Sequence, residues 1–206
     1  MKRYSIKIEK GVARNNSKSR EKIVYICRHG ETDAVKNKYF ATDNISINDS
    51  GIQDAIKIRQ QFVACKGTGV YSSPFQRTLE TSRIICNQFT IIDALSERDY
   101  GDWKGKTKRE IFKENPLKYY LGKCIPSLVS PKNGESLVDL YNRRDYILDL
   151  IWNSMEPQSL IVTHGSIIHS IMMYPQRKYF GDYWRFTKKN RISCGDIYTL
   201  RILKLC

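Results

Sequence analysis

The chain has 206 residues, 41% of them hydrophobic, and carries 35 Lys and Arg against 21 Asp and Glu, a formal net charge of +14. That length and apolar content fit one globular domain with a sizeable core and exclude a collagenous or wholly disordered chain. The charge creates a positive field that would concentrate phosphorylated metabolites, nucleic acid or an acidic membrane surface alike, so it cannot by itself name a partner.

Residues 1–20 are rich in Lys, Arg, Asn and Ser, although Tyr4, Ile6 and Ile8 alternate with polar residues as a short edge strand would. We read them as a basic extension ahead of a domain spanning 21–206. The pattern then predicts a strand over 22–28, a helix over 49–65 opened by Asp49-Ser50, a strand over 69–72, a helix over 75–89 and a strand over 90–95. Gly101 and Gly105 mark a loop. A short helix over 107–114 is stopped by Pro116, and an irregular excursion follows over 116–134. Leu137, Leu140, Tyr141, Ile147, Leu148 and Ile151 recur at helical spacing within 135–155. A strand over 159–163, a helix from Ser166 that ends before Pro175 and a closing strand from Ile192 to Leu203 complete the order. Alternating strands and helices predict an α/β fold whose parallel-rich sheet is covered on both faces, with its chemistry at the carboxyl ends of the strands.

The six cysteines, Cys27, Cys65, Cys86, Cys124, Cys194 and Cys206, lie far apart without a Cys-x-x-Cys pair. No run approaches the roughly 20 apolar residues of a membrane span, and Cys206 is misplaced for a prenylation box. A reduced, soluble, cytoplasmic protein with no membrane partner is expected.

Two of the three histidines occupy His-Gly pairs at the ends of β-branched apolar runs, Arg28-His29-Gly30 and Thr163-His164-Gly165. Imidazole suits nucleophilic and acid/base work near neutral pH, yet a histidine after a buried strand is more often a hydrogen-bonded structural residue, so its companions decide. Ser72-Ser73-Pro74-Phe75-Gln76-Arg77 places Arg77 just inside a helix N-terminus, where backbone N–H groups already favour an anion. Leu95-Ser96-Glu97-Arg98-Asp99-Tyr100-Gly101 places a carboxylate after the third strand.

These four blocks, in this order over nearly everything from Lys22 to Cys206, resemble the histidine phosphatase superfamily, the phosphoglycerate mutase-like proteins. Ile47-Asn48-Asp49-Ser50-Gly51-Ile52 and Asn133-Gly134-Glu135-Ser136-Leu137 look like further segments of that family. The resemblance implies a three-layer α/β/α sandwich with a mixed, mostly parallel sheet, and phosphoryl transfer through a phosphohistidine. It implies His29 as nucleophile, Arg28 and Arg77 as phosphate ligands, His164 as the second histidine of the phosphate pocket and Glu97 as proton donor. Gly165, Arg98 and Tyr100 join the expected substrate-binding set, and Thr32 either offers a hydroxyl to phosphate or caps a helix. Guanidiniums and an imidazolium that converge on the transferring group stabilise its spread negative charge, so neither metal nor cofactor is expected. One departure stands out: many relatives carry an asparagine where this chain has Val35, with Asn37 two residues later.

Other readings are weaker. Gly101-x-x-x-Gly105-Lys106-Thr107 is one residue short of a nucleotide-binding P-loop and follows a charged loop where that motif needs a strand. His169 is five residues from His164, not the four of a zinc helix, and reads as a packing or surface histidine. Arg143-Arg144 reads as a solvated helix face with an ion pair to Asp139. The aromatics at 179–186, with Tyr100 and Trp103, suit core or lid packing. A nucleic-acid module would leave the His and Glu constellation without purpose, and a non-catalytic phosphate-binding protein would not need both nucleophile and acid. The expected activity is hydrolysis of a small phosphorylated metabolite. A mutase is the alternative, disfavoured because no adjacent arginine pair lies between the Glu97 and Gly134 blocks, although Arg98 and Tyr100 are mutase-like.

Overall fold

The run Ile23-Val24-Tyr25-Ile26-Cys27 is buried at every position, which a strand can sustain only when both of its faces are covered. In the computed structural model, which describes residues 3–12, 21–117, 121, 130–174 and 183–205, this run belongs to β2 (Glu21–Arg28) in the middle of a six-stranded sheet. The other strands are β1 (Tyr4–Lys10), β3 (Val70–Ser72), β4 (Thr90–Ile91), β5 (Leu160–Thr163) and β6 (Ile197–Lys204), in the spatial order β1-β6-β2-β5-β3-β4. The pairs β2/β5, β5/β3 and β3/β4 are parallel, while β6 runs antiparallel to both β2 and β1. The helices are α1 (Asp33–Asn37), α2 (Asp49–Ala64), α3 (Gln76–Ile85), α4 (Lys108–Glu114), α5 (Leu137–Ser154), α6 (Gly165–Met173) and α7 (Tyr183–Lys189).

Successive β2 side chains alternate between two cores. Val24 and Ile26 join Leu140, Ile147 and Ile151 of α5 and Ile167 and Ile171 of α6. Tyr25 and Cys27 join Ile58 and Phe62 of α2 and Ile85 of α3. The result is the expected mixed, mostly parallel α/β sandwich. None of the described helices is long and apolar enough to cross a membrane.

Two expectations are corrected. The strand expected over 90–95 is only Thr90–Ile91, after which Asp93–Leu95 turns as a short 3-10 helix. The chain leaves the sheet there because Leu95 is drawn into the core and its carbonyl accepts the Thr163 hydroxyl at 2.7 Å. The stretch read as an extension also contains a strand of the sheet: Tyr4 to Lys10 pair residue for residue with Lys204 to Tyr198. Tyr4 and Ile6 are buried, and the Tyr4 hydroxyl donates to Asp149 of α5 at 2.6 Å. Alternation is all that an edge strand with one covered face requires. Residues 13–20 lie outside the described residues. Removing residues 1–11 should therefore lower stability by several kcal/mol, since burying a side chain such as Ile6 contributes about 1.5–3 kcal/mol. Urea unfolding of the truncated chain checks this; an unchanged midpoint would mean that β1 contributes nothing.

Candidate active site

Register sets the two histidines side by side. Arg28 pairs with Thr163 at the last step of the parallel β2/β5 ladder, so His29 and His164 emerge together one residue beyond the strand ends. The His29 amide donates to the Thr163 carbonyl at 2.9 Å, and the two rings lie 5.2 Å apart. Gly30 lets the chain turn away at once, because a β-carbon there would collide with the backbone of Gly51 at the start of α2.

His29 is almost wholly buried, and its Nδ1 meets the Gly30 carbonyl at 2.7 Å. A carbonyl can only accept, so Nδ1 carries the proton and Nε2 keeps its lone pair. Burial, with the Arg28 and Arg77 guanidiniums nearby, holds this imidazole well below the usual histidine range. His29 is thus neutral at pH 7, the form a nucleophile needs. His164 Nε2 shares a hydrogen bond with the Ser73 hydroxyl at 2.8 Å, and burial first, then Arg77, His29 and Arg28, depress its protonation.

Arg77, the second residue of α3, is fully buried; one terminal nitrogen donates to the Thr42 carbonyl at 2.8 Å and its guanidinium lies 5.0 Å from the Phe75 ring centre. Arg28 donates to the Ile192 carbonyl at 3.2 Å. Three nitrogens in this neighbourhood, Arg28 Nε, Arg77 Nε and His164 Nδ1, are buried without a hydrogen-bond partner among the described residues. Unpaired buried donors are costly and rare, and a cluster of them on cationic or protonatable groups suits an incoming anion.

Arg28, His29, Thr32, Arg77, Glu97 and Tyr100 line one cleft of about 420 Å³, the size of a small-molecule site. His164 lies directly behind His29, fully buried. Gly165 opens α6 against the Arg28 guanidinium, where a β-carbon would make only ordinary contact at 3.8 Å, so glycine is not sterically required. Thr32 accepts from the Val35 amide as the cap of α1, and it also lines the cleft. Val35 also lines the cleft and Asn37 does not, so among the described residues no side-chain amide lines it. His169 is a packing residue, its Nε2 2.7 Å from the Asn190 carbonyl.

Glu97 accepts from the Arg98 amide at 2.9 Å and, through the same oxygen, from the Ser166 hydroxyl in a very short contact. Its loop is braced by a residue that the sequence misrepresents. Arg143 is not a solvated partner of Asp139. It grips the Glu135 carboxylate with two nitrogens, at 2.9 and 2.6 Å, and donates to the carbonyls of Ala94 and Ser96 at 2.9 and 2.5 Å. Asp139 instead closes a capping box with Ser136 at the start of α5. Arg98 Nε donates to the Glu135 carbonyl at 3.0 Å, with the guanidinium 5.6 Å from the ring centre of Tyr100; Arg98 is not among the residues that line the cleft. Tyr100 does line the cleft, its ring tilted against that of Phe40 with centres 4.5 Å apart, and burial pushes its hydroxyl above its usual range.

Several site residues escape sequence reasoning. Ser73 and Phe75, against His164, share the block that flagged Arg77, and a hydroxyl one residue beyond a strand end was the available signal. Lys38, Tyr39, Phe40, Lys108 and Arg191 reach the cleft from segments without a motif. Among the described residues, no three His, Cys, Asp or Glu side chains are grouped to hold a metal ion.

The buried histidines make stability depend on pH with a definite sign. An unfolded histidine takes up a proton below about pH 6.5. His29 and His164 refuse it in the fold, so stability falls as pH drops through and below that value. Thermal midpoints at pH 7.5 and 5.5 should differ more in the natural chain than in His164→Gln; an equal or larger difference in the variant would contradict this.

A sequence profile of the histidine phosphatase superfamily (branch 1) matches residues 24–194. Phosphoglycerate mutase-like protein 4 of Arabidopsis thaliana is 31% identical over 157 residues, covering 72% of this chain and 68% of its own. The uncharacterised phosphatase PhoE of Bacillus subtilis is 29% identical over 156 residues, covering 72% of this chain and 75% of its own. The solved α-ribazole phosphatase of Shigella flexneri shares the fold, with a TM-score of 0.73, 21% identity, and coverage of 89% of this chain and 96% of its own. With the profile spanning the sheet from β2 through α7, the chain belongs to the histidine phosphatase superfamily, branch 1.

Proposed function

We propose that the protein is a phosphomonoesterase that hydrolyses a small phosphorylated metabolite through a phosphohistidine on His29. The observation that carries this reading is the set of three buried nitrogens, Arg28 Nε, Arg77 Nε and His164 Nδ1, which have no partner among the described residues and lie near a histidine whose Nε2 is unprotonated. His29 Nε2 attacks phosphorus in line and the ester P–O bond breaks. Glu97 gives its proton to the departing alkoxide, leaving phosphohistidine and a carboxylate. That carboxylate takes a proton from water, the resulting hydroxyl attacks phosphorus, and the N–P bond breaks to release phosphate and free His29. Arg28, Arg77 and His164 stabilise the equatorial oxygens throughout, with His164 acquiring its proton as the dianion arrives.

We read the chain as a hydrolase and not a mutase on its supply of cations. Arg98 Nε donates to the Glu135 carbonyl at 3.0 Å, and no adjacent arginine pair stands between Glu97 and Gly134. Curated relatives bear both kinds of name, mutase-like and phosphatase. A cytoplasmic setting fits Cys27, Cys65, Cys86 and Cys194, which are free thiols.

The test is rapid acid and base quench of the purified chain with a labelled phosphomonoester, with EDTA present throughout. The expected result is a base-stable, acid-labile phosphoprotein and undiminished turnover. Turnover lost to EDTA and restored by a divalent ion would point to a metal-assisted mechanism; turnover with no trapped intermediate would point to direct attack by water.

A further inference from the structure

The segment that carries His164 also reaches the loop that carries Glu97. On one side of His164 in the chain, the buried Thr163 hydroxyl donates to the Leu95 carbonyl at 2.7 Å. On the other side, the buried Ser166 hydroxyl donates to Glu97 Oε1. Ser166 is the second residue of α6 and is not part of the cleft lining. A helical serine commonly turns its hydroxyl back to the backbone of its own helix, and Ser170 of α6 does so, donating to the Ile167 carbonyl at 2.7 Å. Ser166 instead crosses to a carboxylate in another segment.

That bond distinguishes the two oxygens of Glu97. Oε1 accepts the Ser166 O–H and, at 2.9 Å, the Arg98 N–H. The Arg98 amide also lies 3.2 Å from Ser166 Oγ, which accepts it. The single proton of the Ser166 hydroxyl is therefore directed to Oε1. Oε2 takes part in no hydrogen bond among the described residues, and Glu97 lines the cleft beside His29. When Glu97 is an acid, a proton on Oε1 would meet two donors head on, so the proton resides on Oε2. Glutamate has three side-chain torsions, and fixing one oxygen stops the rotations that would carry the acid proton away from the leaving group.

We propose that Ser166 is a positioning residue for the proton donor. Its hydroxyl pins Oε1, so that Oε2 alone gives its proton to the leaving oxygen as the P–O bond breaks. Oε2 then takes a proton back from water as the water oxygen bonds to phosphorus and the N–P bond breaks. This assignment rests on the phosphatase reading, and within it on Glu97 as the donor.

The test uses kcat/KM of the full chain, which reports phosphoryl transfer to His29, on glycerol 2-phosphate and on p-nitrophenyl phosphate. In Ser166→Ala the value on glycerol 2-phosphate should fall about tenfold or more, and the fall on p-nitrophenyl phosphate should be at least about fivefold smaller. Added to Glu97→Gln, the same substitution should lower either value by less than about twofold, because the proton that it positions is already gone. Calorimetry should show affinity for inorganic phosphate held within about twofold, since a displaced start of α6 would move His164 as well. Equal falls on both substrates, a full further fall in the Glu97→Gln background, or phosphate affinity that drops as far as the rate would overturn the assignment. Glu97→Gln alone tests the reading beneath it. Equal losses in that variant would move the proton donor elsewhere and take this assignment with it, whereas a split there without one in Ser166→Ala would overturn the positioning role alone.

Discussion

His29→Ala should lose at least about 10⁴-fold in kcat on any phosphomonoester, since removing the nucleophile of a covalent mechanism removes the step itself. No other imidazole can take over. His164 Nε2 is engaged with Ser73, and the ring sits fully buried behind His29. The variant should remain folded, because the strand-end backbone bond to Thr163 does not involve the side chain. It should also form no trapped phosphoprotein while still binding inorganic phosphate, because Arg28, Arg77 and His164 are unchanged. Phosphoprotein at the natural level in His29→Ala would reassign the nucleophile. Because the ring is neutral well below pH 6.5, the acid limb of kcat/KM for the natural chain should lie below that of an ordinary histidine and should not reflect loss of the nucleophile near neutrality.

Glu97→Gln should separate substrates by leaving group. The amide oxygen can still accept from Ser166 and from the Arg98 amide, as the carboxylate does, so the loop keeps its shape and only the proton is lost. On alkyl phosphates the expected loss in kcat is about 10²–10⁴-fold, the usual contribution of a positioned acid. On p-nitrophenyl phosphate, whose leaving group hardly needs a proton, the loss of the first step should be far smaller. Equal losses on both would mean that another group delivers the proton. Loosening the Arg143 brace should act on the same step, since it holds the carbonyls of Ala94 and Ser96 that lead into Glu97.

Much of this was legible along the chain because it is local or strictly ordered. An unbroken apolar run announces a strand buried on both faces, and a His-Gly pair after two such runs announces two imidazoles at one end of a parallel sheet. The order of the Arg28, Arg77, Glu97 and His164 blocks was enough to indicate the superfamily, and the side chains named from those blocks, except Arg98, gather at the cleft or directly behind it. Tyr4, Ile6 and Ile8 showed the right alternation for an edge strand, but their partners lie at the far end of the sequence in β6. A strand without a visible partner reads as an appendage.

What only the tertiary structure decided is where long cationic side chains go. Arg98 and Arg143 each stand in a segment that admits several readings, and a guanidinium reaches for whichever carbonyls and carboxylates the fold brings near. Glu135 takes both, one through its backbone and one through its carboxylate. Lys38 and Arg191 carry no motif, and that both line the cleft beside His29 is visible only in the fold. Apolar periodicity is written in adjacent residues, so the sequence by itself determined the layers and the catalytic strand ends; charge pairing depends on distances across the fold, and no spacing along the chain encodes them.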